Sequence, residues 1–286
     1  MSQSSILGSL LNSVFKRKVS QASFSVDEVT GRLRLRFPHP EKPAPSIHWK
    51  HVLHLQQLVN LPSNALSGPV QEDKAQAYRY LKQIVSIESC ALDSYDLRQL
   101  YGLNHTQDAL LQYDSWEALS QAPQCKQVRI ISIRDFNRTL SEALGSNQHA
   151  ELISTAWMPD HFYWASTDNS CQLASALVYA RRRELPVNLP AHLHQIRINV
   201  LAVRELQQHY HMLGVPAEAW MDPDFMSFLT GHKTPYARFS MLNGPEAVQI
   251  ILLPRDNPQS HTFGLGLLLA GAREITELLL QLADTP

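Results

Sequence analysis

The chain has 286 residues, 44% hydrophobic and 18% charged, with a formal net charge of −1. That apolar content argues against disorder over most of its length. The near-zero charge argues against general nucleic-acid binding, because affinity for a duplex rests on a basic excess that neutralises phosphates.

In chain order, Ile6, Leu7, Leu10, Leu11, Val14 and Phe15 recur at helical spacing ahead of Lys16, Arg17 and Lys18. This predicts a short amphipathic helix within residues 1–18, able to pack on the body of the protein, on a partner or on a membrane surface. The basic residues follow the apolar run, the reverse of a secretory signal, and no stretch reaches the roughly 20 apolar residues that span a bilayer. Ala22 to Phe37 predicts a β-hairpin turning at Asp27 to Gly31. Its second strand sets Leu33, Leu35 and Phe37 on one face and Arg32, Arg34 and Arg36 on the other. Such a row is usually the solvated face of an edge strand, although three guanidinium groups can also grip phosphate or carboxylate.

The four prolines between Pro38 and Pro45 form a connector. Ser46 is placed to cap a helix to about Asn60, and a loop over Leu61 to Gln71 leads into helical pieces from Glu72 to about Leu119. Val128 to Ile133 has the β-branched content of a strand, and a helix from Asp135 stops at Gly145. Leu152 to Met158 and Phe162 to Ser166 predict a hairpin around Pro159-Asp160. Helices follow over Ser170 to Glu184 and His192 to Leu213. Strands are expected near Ala237 to Met241, Val248 to Leu253 and Thr262 to Leu268, then a terminal helix over Ala272 to Leu282. Grouped rather than alternating elements imply an α+β fold, with a mixed or antiparallel sheet and several packed helices. One large domain over residues 19–286 is expected; a separate hairpin unit over 22–37 is the variant.

Three cysteines, Cys90, Cys125 and Cys171, are widely spaced, with no CxxC pair. Neither a disulfide framework nor a cysteine zinc site is expected, and a reducing, cytoplasmic compartment is the simplest reading. Cys171 falls in the first turn of the helix from Ser170, where free N–H groups and the helix dipole favour a thiolate. With His161, His192 or His194 as base, it forms the candidate centre of a cysteine-dependent hydrolase or transferase. The competing reading is a buried, inert cysteine. Among the thirteen histidines, His48, His51 and His54 spread over a helical arc with no HExxH pattern. His192 and His194 would share a face only on a strand, but the surrounding apolar residues run at helical spacing. No metal and no other cofactor is expected, and neither GxxxxGK[ST] nor GxGxxG occurs. Gly264 and Gly266 are expected to permit close packing or a bulge.

Ser170, Leu173, Ala174 and Ala176, followed by Ile198-Asn199, Ala202-Val203, Leu206, Tyr210 and Met212, resemble an uncharacterised bacterial family. Leu252-Leu-Pro-Arg255 and the leucine-rich terminal helix extend the resemblance over the C-terminal half. In that family two adjacent histidines follow the serine; Cys171 and Gln172 stand there in this chain, without the usual general base and metal ligand. The resemblance implies a bacterial, cytosolic accessory protein, of the kind carried by mobile elements or phage, and implies no activity. Taken together, the chain is expected to be a non-enzymatic accessory protein whose partner is another protein. The expected contact residues are Leu7, Leu10, Leu11 and Phe15, with Arg32, Arg34 and Arg36.

Overall fold

The computed structural model describes residues 22–37, 46–49, 58, 61–104, 107–145, 149–166, 168–240 and 248–284. The predicted N-terminal helix with Leu7, Leu10, Leu11 and Phe15, the connector over 38–45, and His51 and His54 lie outside them. In chain order the elements are α1 (Val26–Arg32), α2 (Gln71–Leu81), β1 (Val85–Asp96), β2 (Gly102–Leu103), α3 (Trp116–Ser120), α4 (Ile133–Leu144), β3 (Ala150–Thr155) and β4 (Met158–Trp164). Then come α5 (Ser170–Arg182), β5 (Asn188–Ile198), α6 (Val200–His209), β6 (Tyr210–Pro216), α7 (Pro223–Met226), β7 (Ala237–Ser240), β8 (Val248–Pro254), α8 (Pro258–Leu269), β9 (Arg273–Glu274) and α9 (Ile275–Ala283). The α+β class is as the sequence implies. The chain divides into two compact units, one of residues 1–39, 62–80 and 204–276, the other of 40–61, 81–203 and 277–286.

In the first unit a four-stranded sheet runs β7-β8-β6-β9, antiparallel throughout. β6 is buried along its whole length; α8 packs beside it, and α1 packs on α8. Residues 22–37 do not form the expected hairpin. Ser25 caps α1 by accepting from the Glu28 N–H, with Asp27 and Glu28 in the first turn and Arg32 in the last, so charge and cap both favour helix. Leu33 and Phe37 still turn inward while Arg34 and Arg36 stay exposed. Arg32, on the helix, does not stand in line with them: its Nε donates to Asp224 at 3.0 Å. Thr262 to Leu268, expected as a strand, lies in α8, where Asn257 caps and Pro258 opens the helix. Its glycines do serve close packing. A Cβ on Gly266 would stand 2.5 Å from the Val29 Cβ, and one on Gly264 2.5 Å from the His211 ring. Phe24, Phe225, Phe228 and Phe263 fill the core between these elements, each worth about 1.5–3 kcal/mol when fully buried.

In the second unit a mixed five-stranded sheet runs β1-β5-β3-β4-β2. β5 pairs antiparallel with β1 and parallel with β3; β3 and β4 form a hairpin, and β2 lies parallel to β4. That hairpin was expected, but it turns at Ala156 and Trp157, and Pro159-Asp160 lies within β4. Other expectations shift more. Residues 46–49, where the expected helix begins, are not helical, and His48 bridges Leu103; of the rest of that expected helix only Leu58, which is helical, is among the described residues. Val85 to Asp96, expected among helical pieces, is the edge strand β1. Val128 to Ser132 is not a strand; Ser132 and Asp135 form a capping box that starts α4 at Ile133, and Gly145 ends it at φ +64°. His192 to Leu213, expected as one helix, is the end of β5, then α6, then the start of β6. The helix from Ser170 is borne out as α5. Its Leu173, Ala174 and Leu177 pack with Ala150, Leu152, Ala191 and Leu193 from one face of the sheet.

Candidate metal centre on the five-stranded sheet

Because side chains alternate along a strand, and directly paired residues share a face, the ladder sorts this sheet into two surfaces. Ala150, Leu152, Ala191 and Leu193 face α5. Glu151, opposite His192, and Ile153, opposite His194, face the other way. Ser89 and Ala91 of β1 join that second face, opposite His194 and His192 respectively. His149, two residues before Glu151, is on the same side.

The result is a convergence on one carboxylate. His149 Nε2 lies 2.8 Å from Glu151 Oε1, and His192 Nδ1 lies 3.3 Å from the same oxygen. His194 Nε2 lies 3.2 Å from Oε2. The other ring nitrogen of His194, Nδ1, lies 2.8 Å from the Ser89 hydroxyl, so both of its nitrogens have polar partners. The His149 and His192 rings are 4.0 Å apart between centroids, tilted by 40°. One ligand atom from each of His149, Glu151 and His192 falls within 4.8 Å of the others. Side-chain exposures of 27% for Glu151, 31% for His149, 39% for His194 and 49% for His192 leave the cluster open to solvent.

Two imidazoles and a carboxylate are a borderline-soft donor set that suits zinc. In a tetrahedral zinc site, bond lengths of about 2.0–2.1 Å put ligand atoms about 3.3 Å apart. His192 already stands at that distance from Glu151 Oε1, and His149 needs a small outward shift. The sheet holds the backbone of all but His149 in a continuous ladder.

The other sequence-predicted residues are not brought together. Cys171 is bonded to Cys125, so in this state it offers no thiolate, and the bond departs from the expectation of three separate thiols. It also runs against the reducing-compartment reading, since such bonds persist in oxidising surroundings. Cys171 packs with α5 against the core face of the sheet, whereas His192 and His194 are on the opposite face. His161 is stacked on Tyr101 at 3.9 Å. His48 is buried, with Nε2 2.9 Å from the Tyr113 carbonyl. While that bond stands, the cysteine-centred reading has no free thiol at Cys171. Cys90 is free and exposed.

The matched family is the family of unknown function DUF6685, whose model covers residues 91–286. The chain belongs to it. The match reaches from within β1 to the C-terminus and contains His149, Glu151, His192, His194 and both bonded cysteines; Ser89 precedes it. No curated protein and no solved structure matches the chain. Among the described residues, no helix is long and apolar enough to cross a membrane.

In the first unit a second imidazole pair, one ring buried and the other half-buried, stands in a different setting. His211 is fully inaccessible, with Nε2 3.0 Å from His261 Nδ1 and Nδ1 3.6 Å from Glu274 Oε2. Glu274 also accepts from the Met212 N–H at 2.7 Å and from the Thr276 hydroxyl at 3.2 Å, and Arg255 Nη2 stands 3.5 Å away. Burial, then the neighbouring His211 and Arg255, hold the His261 pKa below its ordinary value. This network knits β6, β9 and α8 together.

The strand register is what sequence reasoning missed. Without it, residues 149, 151, 192 and 194 are two unrelated pairs. His192-x-His194 was the available signal, and it pointed to a shared face once β5 replaced the expected helix.

Proposed function

We propose that the protein binds a divalent transition metal, zinc by its donor set, through His149, Glu151 and His192. The observation that carries this is the convergence of their three ligand atoms within 4.8 Å on a sheet surface. Hard cations such as magnesium and calcium prefer all-oxygen shells and fit the imidazoles poorly. Isothermal titration of the full chain, stripped by chelator, should show one zinc per chain. His149→Ala, His192→Ala and Glu151→Gln should each weaken binding at least tenfold. Zinc uptake unchanged in all three variants, or no uptake by the wild type, would refute the proposal.

A second reading takes the chain as a non-enzymatic accessory protein, bacterial and associated with mobile elements or phage, that acts by protein–protein contact. The exposure of Arg34 and Arg36 supports it. Deleting residues 1–18, or changing both arginines to glutamate, should abolish partner capture from a host lysate without lowering thermal stability. Capture that survives both changes counts against it. A bound ion and a contact surface are compatible in one protein.

A further inference from the structure

Resting on the metal-binding reading above, we infer that His194 and Ser89 form a positioning pair that leaves the metal one coordination place open. The oxygens of Glu151 are addressed unequally. His149 and His192 both approach Oε1, at 2.8 and 3.3 Å, so an ion placed between these imidazoles meets Oε1. His194 instead approaches Oε2, at 3.2 Å, and lies outside the set whose ligand atoms are mutually within 4.8 Å.

The partners of His194 fit this division. Its Nδ1 lies 2.8 Å from the Ser89 hydroxyl and its Nε2 3.2 Å from Oε2, so both ring nitrogens are already engaged. For His194 to become a ligand through Nε2, its contact with Oε2 must break. Held as it is, His194 occupies the second oxygen and keeps Glu151 monodentate. A hydrogen-bonded ligating carboxylate is the usual outer-shell arrangement at such sites. Three protein donors then fill three places of a tetrahedron. The fourth faces solvent and takes an exchangeable oxygen ligand: water or hydroxide, or the oxygen of a small carboxylate or phosphate. His194 acts through Glu151 and is not itself a ligand.

The test uses the full chain loaded with Co²⁺, whose visible absorption reports coordination number, and with Cu²⁺, whose pulsed EPR counts bound imidazoles. Wild-type protein should show two imidazoles and a Co²⁺ spectrum that changes on titration with acetate or inorganic phosphate. His194→Gln should keep two imidazoles, lose about 10–100-fold in Co²⁺ affinity and shift toward the weaker absorption of a higher coordination number as Glu151 turns bidentate. Ser89→Ala, which disturbs the fold least, should move both readouts the same way by less. Three imidazoles in the wild type falling to two in His194→Gln, or a Co²⁺ spectrum insensitive to both anions, overturns the inference while the metal site stands. Failure of the wild type to take up Co²⁺ overturns both.

Discussion

Replacing both bonded cysteines, Cys125→Ala with Cys171→Ala, tests how far the second unit depends on its cross-link. The two residues are 46 apart in sequence, so the bond closes a loop of about 47 residues in the unfolded chain. In the chain-entropy treatment, closing such a loop removes about 14 cal/mol/K from the denatured ensemble, or about 4 kcal/mol at 25 °C. Truncation to alanine at Cys125, which is fully buried, adds a smaller packing loss. For a unit of roughly 150 residues, 4 kcal/mol corresponds to a fall of about 8–16 °C in melting temperature. Thermal and urea unfolding of the oxidised wild type, the wild type in reductant and the double variant measure it. The reduced wild type and the double variant should fall together, and the urea slope should rise because an unlinked unfolded chain exposes more surface. Equal stability of oxidised and reduced protein, or two titratable thiols at these positions in protein purified without reductant, would refute the reasoning.

Gly264→Ala should destabilise by about 1–3 kcal/mol in urea unfolding, because the added Cβ would lie 2.5 Å from the buried His211 ring. Gly102→Ala should be harsher and prevent soluble expression, since its Cβ would meet the Ile47 carbonyl oxygen, which is backbone and cannot swing aside. His261 has a folded pKa below its ordinary 6.5. It therefore binds fewer protons than the unfolded chain below pH 6.5, so stability should fall as pH drops from 6.5 toward the lowered value. Urea midpoints from pH 7.5 to 5 check this, and His261→Asn should flatten the slope. Asp96 runs the same way at lower pH: its hydrogen bond from Arg98 holds its pKa below 3.8. Its contribution is present above that value and should be lost as pH falls through the depressed one, which an Asp96→Asn comparison between pH 5 and 2 measures.

The elements that were legible in the sequence carry local signals. α5 is periodic, Gly145 ends α4 at positive φ, β7 alternates buried and more exposed residues, and β8 is mostly apolar. The failures have distinct causes. Ser25-Val-Asp-Glu28 is a helix-start signature, and it outweighed the turn at Asp27 to Gly31 on which the hairpin rested. α8 is apolar on nearly all sides, so it lacks the period that separates a helix from a strand, and only Asn257-Pro258 marked its start. β1 is an edge strand with mostly exposed residues, giving no alternation to read. β5 buries residues on both faces and runs into α6 through Asn199 alone, so the true helical period of Val203 and Leu206 extends backward over it. That single error hid half of the candidate site. The disulfide was illegible for another reason: Cys125 and Cys171 meet only through the packing of α3 and α4 along α5.

The parallel pairing of β3 with β5 has a kinetic consequence. Glu151 and His192 meet only after β4 and α5 have been laid down between them and β5 has docked beside β3. Closing such a crossover is among the slower steps of a fold, because its chain entropy is spent before its contacts form. The donors therefore assemble late, and a metal ion added during refolding should be captured only after helix formation is complete. Ion uptake would then serve as a clock for the sheet, reporting the moment at which the crossover closes.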